Sequence, residues 1–340
     1  MRILRKRSAF GLAAFTAGLA AATAGLVASA AVAGPAPCQT KNVRTGIEYK
    51  GASALTNAIT AAASGDTINI WGTCYGNFRV NQDLTLSGQG KNATLDGNRQ
   101  GRVLRIGGGT VTVRDLTITN GQTTSLGGGI YVGTAAVLTN VRVAGNSAGT
   151  NNFGGGIEAD FHSSLTLVDS TVSGNTAGGS GGIDMFMAKA SLTNSTVSGN
   201  HATGATTDGC AFGGTFYSCA GGIWNYHGTL ALTNSIVSAN TAAYRGGGMR
   251  NDATLDGAGN PTDGITILSG STKISSNTAD DQGGGIWANV AKGIFAADGT
   301  ATYPDPITAA TLPAWTGSVT GNNPDQCFPA VTIGSTACGT

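Results

Sequence analysis

Glu158, Asp160 and His162 alternate with Ile157, Ala159 and Phe161 directly after three glycines, Gly154 to Gly156. Asp184 follows Glu158 by 26 residues, and Arg250 holds the matching place in a later copy of the same pattern. Carboxylates opposed on neighbouring parallel strands have Cβ atoms about 5 Å apart, and those at alternate positions of one strand about 6.5–7 Å apart. Glycosidases use a carboxylate pair about 5–5.5 Å apart to retain configuration and about 6.5–9.5 Å apart to invert it. Glu158 with Asp184 suits the first spacing and Glu158 with Asp160 the second, so the stereochemical outcome stays open. Crowding three carboxylates raises at least one pKa, which supplies a general acid. The same three side chains could instead hold Ca²⁺, which prefers oxygen ligands. Arg250 could then serve as the base of a lyase or bind a uronate carboxylate. A plainer role also exists: exposed acids keep a strand face soluble, and Arg250 neutralises them.

The elements that must position these residues are repeats. A Gly-Gly-Ile or Gly-Gly-Met element ends at Ile130, Ile157, Ile183, Ile223, Met249 and Ile286, at spacings of 27, 26, 40, 26 and 37. Between copies runs a second element, VLTNVRVAGNSA, LTLVDSTVSGNTA, SLTNSTVSGNHA and ALTNSIVSANTA, with a looser STKISSNTA after them. In the first four, Asn140, Asp169, Asn194 and Asn234 each stand six residues before Asn146, Asn175, Asn200 and Asn240. A unit of about 26 residues, with three short β-branched runs and Gly/Asn corners, is one rung of a β-solenoid. One rung cannot bury its apolar face alone, so rungs stack and the repeated Asn residues align at corners. There they tolerate left-handed backbone and hydrogen-bond the next rung. The long intervals place insertions near 202–220 and 255–264, and insertions of this kind form loops on one face.

Stacking the Gly-Gly strands yields columns. The inward positions read Ile130/Val132, Ile157/Ala159/Phe161, Ile183/Met185/Met187, Ile223/Asn225/His227, Met249/Asn251/Ala253 and Ile286/Ala288/Val290, a core with one polar patch. The outward positions read Tyr131, Glu158, Asp184, Trp224, Arg250 and Trp287, then Gly133, Asp160, Phe186, Tyr226, Asp252 and Asn289. Five of these twelve are aromatic in a chain that is 6% aromatic, so this is no ordinary solvated face. Aromatic rings beside acids suit sugars, whose C–H faces stack while their hydroxyls hydrogen-bond. Tyr131, Trp224, Tyr226, Trp287 and His162 are the expected substrate contacts, and Glu158, Asp160, Asp184 and Arg250 the expected catalytic groups.

The Gly-Gly-Ile and Val-x-x-Asn pattern (Val143/Asn146, Val172/Asn175, Val197/Asn200, Val237/Asn240) is similar to the repeats of bacterial polymorphic outer-membrane adhesins. The chain as a whole resembles right-handed parallel β-helices of the pectin-lyase-like type. Leu55 to Ile59 reads as a short N-terminal capping helix before a strand over Thr67 to Ile70, and Leu84 to Gly97 resembles early rungs. Val319 to Asn322, followed by Cys327 and Cys338, resembles a final rung under a disulfide-stapled cap over 320–340. The resemblance implies an all-β fold and a substrate groove on the Gly-Gly-Ile sheet. It carries over no catalytic residue, because the Gly-His-Gly and Arg-Ile-Lys elements of polygalacturonases and the pectate-lyase arginine motif are missing. Its adhesin side implies a rival, non-catalytic surface protein.

Arg2, Arg5, Lys6 and Arg7 open the chain, an apolar stretch runs to Ala33, and Ala31-Val32-Ala33 fits signal-peptidase cleavage. Residues 1–33 are therefore expected to be a signal peptide rather than an anchor, and 34–340 one domain, secreted, monomeric, and free of the membrane after cleavage. Taking four basic residues from the 19 Lys/Arg leaves 15 against 18 acids, a net charge of −3. That balance excludes the basic stripe a nucleic-acid partner requires. Six cysteines suit an oxidising compartment, with Cys38/Cys74, Cys210/Cys219 and Cys327/Cys338 the simplest pairing of 15. No Cys-x-x-Cys occurs, so no zinc site is expected. The expected partner is an extracellular glycan, and no cofactor other than Ca²⁺ enters.

Overall fold

The computed structural model describes residues 36–204, 219–254, 262–289, 294–296, 315–328, 331–333 and 336–338. The expected signal peptide and most of both expected insertions lie outside the described residues. Of the two compact units, Met1–Gly34 and Pro35–Thr340, only the second is described here.

That unit is built of parallel strands in stacked parallel sheets, the arrangement of a β-helix-like solenoid. Its chain visits three long sheets in rotation. Ile157–Ala159 belongs to the third sheet, Ser164–Val168 to the first and Thr171–Ser173 to the second, before Ile183–Phe186 returns to the third. The Gly-Gly strands pair in the register the columns require, Ile130 with Ile157, Ile183, Ile223, Met249 and Ile286 in succession. A fourth, short sheet of Thr176–Ala177, His201–Ala202, Thr241–Ala242 and Thr278–Ala279 leads towards the Gly-Gly elements that end at Ile183, Ile223, Met249 and Ile286.

The Gly-Gly pairs are required because neighbouring rungs approach too closely for a side chain. A Cβ on Gly155 would lie 2.4 Å from the carbonyl oxygen of Gly181, and one on Gly156 would lie 2.8 Å from that of Gly182. The recurrent asparagines divide into two roles. Asn140, Asp169, Asn194 and Asn234 take φ of 53°, 50°, 50° and 48° at exposed corners, the left-handed backbone that Asn tolerates. Asn146, Asn175, Asn200, Asn240, Asn277 and Asn322 are buried and form a continuous ladder. Asn175 Nδ2 donates to Val143 O (3.1 Å) and to Asn200 Oδ1 (2.9 Å), and Asn175 N–H donates to that same Oδ1 (3.0 Å). Gln326 Oε1 closes the ladder by accepting from Asn322 Nδ2 at 2.9 Å. Each buried side-chain amide of the ladder therefore has a partner, as interior polar groups require.

Helix Ala54–Ala61 follows the expectation and buries Ala54, Leu55 and Ala58. Strand Gln39–Asn42 pairs antiparallel with both Glu48–Lys50 and Asp66–Trp71, a reversal that the repeat pattern does not encode. Cys38 and Cys74 form a disulfide. Cys219 and Cys327 are also disulfide-bonded, while Cys210 and the side chain of Cys338 lie outside the described residues. Among the described residues no helix is long and apolar enough to cross a membrane.

Three inward assignments are corrected. Phe161 is 50% and Met187 38% exposed, not part of the core. The strands end before them, at Ala159 and Phe186, and the chain turns through left-handed residues at His162, Met187 and His227. His227 is half-buried and bonded through Nδ1 to Asp263 Oδ1 at 2.9 Å, outside the core. Asn225 and Asn251 do form the expected buried pair, with Asn225 Nδ2 donating to Asn251 Oδ1 at 2.8 Å.

Candidate functional site

The first outward column lies in register as expected, with Tyr131 beside Glu158, Asp184, Trp224, Arg250 and Trp287 in turn. Its exposure is not as expected. Glu158 is 2% exposed, Asp184 3%, Trp224 2% and Arg250 7%, and Asp252 is also buried. The segments leading into each Gly-Gly element fold over this face. Phe153 lies 5.2 Å from the Trp224 ring, and Phe153, Cys219, Ala220 and Trp224 make a second small core flanked by Leu126 and Tyr226. The backbone at Gly127 comes so near that a Cβ there would meet Glu158 Cβ at 3.1 Å. Alternation within the strand shows which side faces away from the main core. It does not show that this side is covered.

Burial sets the chemistry of the acids. The Glu158 carboxyl is pushed well above its ordinary pKa, first by desolvation and then by the neighbouring Asp184 and Asp160 charges. Asp184 is raised to about 7 by desolvation, against the lowering effect of hydrogen bonds from Ser180 and Glu158. Burial therefore favours the protonated form of both carboxyls, which also interact with one another. Among the described residues no N–H or O–H group donates to Glu158 Oε2. Asp160 is half-buried and accepts from the Tyr131 hydroxyl and from the Phe161 N–H (2.7 Å). Tyr131 is pushed up to about 12 by burial and by that bond. Hydroxyl groups thus engage Asp160 and Asp184. Among the described residues no three or more His, Cys, Asp or Glu side chains gather in a way that could hold a metal ion.

Arg250 is likewise engaged. Its Nε and Nη2 pair with Asp252 at 2.7 and 3.0 Å, and its guanidinium sits 4.2 Å from the half-buried Trp287 ring. Trp224 Nε1 donates to Asp252 Oδ2 at 2.6 Å. Trp224 and Arg250 are therefore held inside, away from a polymer passing over the sheet.

The open part of the face lies at the rim, one turn further along each strand. Phe161, Phe186 and Tyr226 follow one another over three successive rungs, with centroids 6.2 Å and then 5.5 Å apart. Phe186 and Tyr226 stack at 8°. His162 and His227 flank the strip, 3.8 Å from Phe161 and 4.1 Å from Tyr226. A groove of about 280 Å³ opens beside it, lined by His162, Met187, Lys189, His227 and Asp263 among others. A larger cleft of about 670 Å³ lies at the corner between the first and second sheets, lined by Lys91, Asp115, Asn140, Arg142 and Asp169, with no aromatic ring.

Of the residues expected at the site, the structure gathers Tyr131, Glu158, Asp160 and Asp184 in one cluster, and Tyr226 with His162 at the rim. Sequence alternation places Phe161 in the core, Asp263 and Ser180 lie between strands, and Lys189 opens the strand Lys189–Thr193, outside the Gly-Gly element. Arg79, Arg102 and Arg105 also escaped the repeat pattern. Phe78–Val80 and Leu104–Ile106 join the third sheet without a Gly-Gly element, placing Arg79 and Arg105 in the Tyr131 column. Their signal is the period, since Phe78, Leu104 and Ile130 are spaced 26 residues apart. No family model, no curated protein and no solved structure matches this chain.

Proposed function

We propose that this chain is a secreted right-handed β-helix of the pectin-lyase-like type that holds an extended extracellular polysaccharide along the rim of its third sheet, without cleaving it. The observation that carries this reading is the aromatic strip of Phe161, Phe186 and Tyr226 beside an open groove with His162, Lys189 and His227. Rings offer C–H contacts to a sugar, and the groove offers donors to its hydroxyls. Glu158 and Asp184, the residues best suited to acid–base cleavage, lie beneath a covering layer and are occupied with each other. Their geometry supports a role in holding the rim in place.

The test is affinity electrophoresis of the mature protein against a panel of soluble polysaccharides, with product analysis of the same mixtures. Binding should weaken about tenfold in Phe161→Ala, the loss expected of one stacking ring, with no new reducing ends or unsaturated uronates. Release of such products, abolished by Glu158→Gln, would replace this reading with a cleaving enzyme.

A further inference from the structure

Three guanidinium groups crowd the N-terminal end of the same sheet face. Arg79 and Arg105 are register partners on adjacent strands, about 4.8 Å apart at the backbone. The Arg105 guanidinium lies 4.8 Å from the centroid of the Tyr131 ring, and that of Arg102 lies 4.9 Å from it. Arg102 is fixed by donating from Nε to Leu126 O at 2.9 Å and to Gly127 O at 3.0 Å. Its pKa is lowered, first by burial and then by the Arg105 charge, with Arg79 adding to the effect. Like charges placed directly opposite on a sheet repel one another, yet among the described residues no carboxylate pairs with any of the three. Asp160 accepts from the Tyr131 hydroxyl, and Glu158 acts on Arg102 through its charge but forms no ion pair with it.

Gly107 and Gly133 follow the strands of Arg105 and Tyr131, and the space a side chain would take there is already filled, by Asn81 Oδ1 2.5 Å from a Cβ on Gly107 and by Tyr131 Cε1 3.2 Å from one on Gly133. Arg79 is exposed and Arg102 and Arg105 are half-buried, so a ligand can meet the guanidiniums from solvent. The ligand chemistry follows from the spacing. A carboxylate has two oxygens and is filled by one guanidinium fork. A sulfate or phosphate monoester has three terminal oxygens and can bridge two forks one strand apart. The geometry points to a site, formed by Arg79, Arg102 and Arg105 on the Tyr131 ring, for the sulfate or phosphate monoester groups of a glycan. This rests on the polysaccharide reading above, the cluster lying on the same sheet face at its N-terminal end, in the Tyr131 column.

The experiment uses dextran sulfate, a phosphorylated mannan, polygalacturonate and neutral dextran as probes, each titrated calorimetrically at two salt concentrations. Inorganic sulfate and phosphate are followed by thermal shift. Wild type should bind dextran sulfate or the phosphomannan in a salt-dependent way, and the preferred polymer tells sulfate from phosphate. The Arg79→Gln/Arg105→Gln variant should lose about tenfold or more of that affinity and show a shallower salt dependence. Arg79→Gln alone, at an exposed position, should give part of the loss with an unchanged melting temperature. Equal affinity of the double variant, or polygalacturonate binding as tightly with the same arginine dependence, would overturn the proposal. Thermal stabilisation by inorganic sulfate that the double variant lacks, with no polymer bound, would keep the anion site and discard the glycan reading.

Discussion

The buried Glu158–Asp184 pair gives the molecule a specific pH response. Both carboxyls have folded-state pKa values above their ordinary ones, Asp184 at about 7 against an ordinary 3.8. Between about pH 4 and 7 the folded chain therefore holds more protons than the unfolded chain, and stability falls as pH rises through that window. The melting temperature should be several degrees higher at pH 5 than at pH 8, and Glu158→Gln should remove at least half of that difference. A melting temperature that climbs from pH 5 to pH 8 in the wild type would show that the pair is ionised and open to water. Residue identity alone could not reveal this. The sequence pointed to three crowded carboxylates and one raised pKa. The burial that raises both pKa values depends on the covering segments around Phe153 and Cys219, which carry no repeat signal.

At the scale of the rung, the strongest element is the asparagine ladder. Asn200 Oδ1 accepts from the N–H of Asn175 at 3.0 Å and from its Nδ2 at 2.9 Å, while Asn200 Nδ2 donates to Val172 O at 3.0 Å. Asn200→Ala would leave the Asn175 N–H without its acceptor and take one bond each from Val172 O and from Asn175 Nδ2, which keeps Val143 O, so a loss of about 2–4 kcal/mol is expected. Asn194→Ala, at the exposed left-handed corner six residues earlier, should cost only about 1–2 kcal/mol. Urea midpoints of the two variants measure the contrast, and equal losses would mean that the ladder adds nothing beyond backbone conformation. This much of the fold was legible. The six-residue spacing and the Gly-Gly period placed strands, corners and register, because neighbouring rungs impose the same steric and hydrogen-bonding demand on each copy. Phe161 and Met187 were misplaced because strict alternation was carried past Ala159 and Met185 into a turn. The left-handed backbone at His162 and Met187 has no glycine to announce it.

For the molecule as a whole, the ends matter more than the middle. A stack of rungs contacts only its neighbours, and a terminal rung presents unpaired strand edges. At the N-terminal end that edge is covered by helix Ala54–Ala61 and the antiparallel strand Gln39–Asn42, tied to the second sheet by Cys38–Cys74. The bridge closes a separation of 36 residues, worth about 4 kcal/mol by loop entropy. Replacing both cysteines with serine should speed amide hydrogen exchange in the rungs up to about Ile106 and leave the Asn175–Asn240 ladder protected. Uniform loss of protection would show that the stack unfolds as one unit.

The aromatic strip also has a consequence for measurement in the literal sense. Phe161, Phe186 and Tyr226 sit on consecutive rungs, so the strip advances by one ring per rung, with centroids 6.2 and then 5.5 Å apart. Its span is set by how many rungs carry a ring and not by the reach of any side chain. Excising or duplicating one whole rung would shorten or lengthen this ruler by one graduation while leaving each surviving contact of the same kind. The oligosaccharide length that fits best would then change in steps as well.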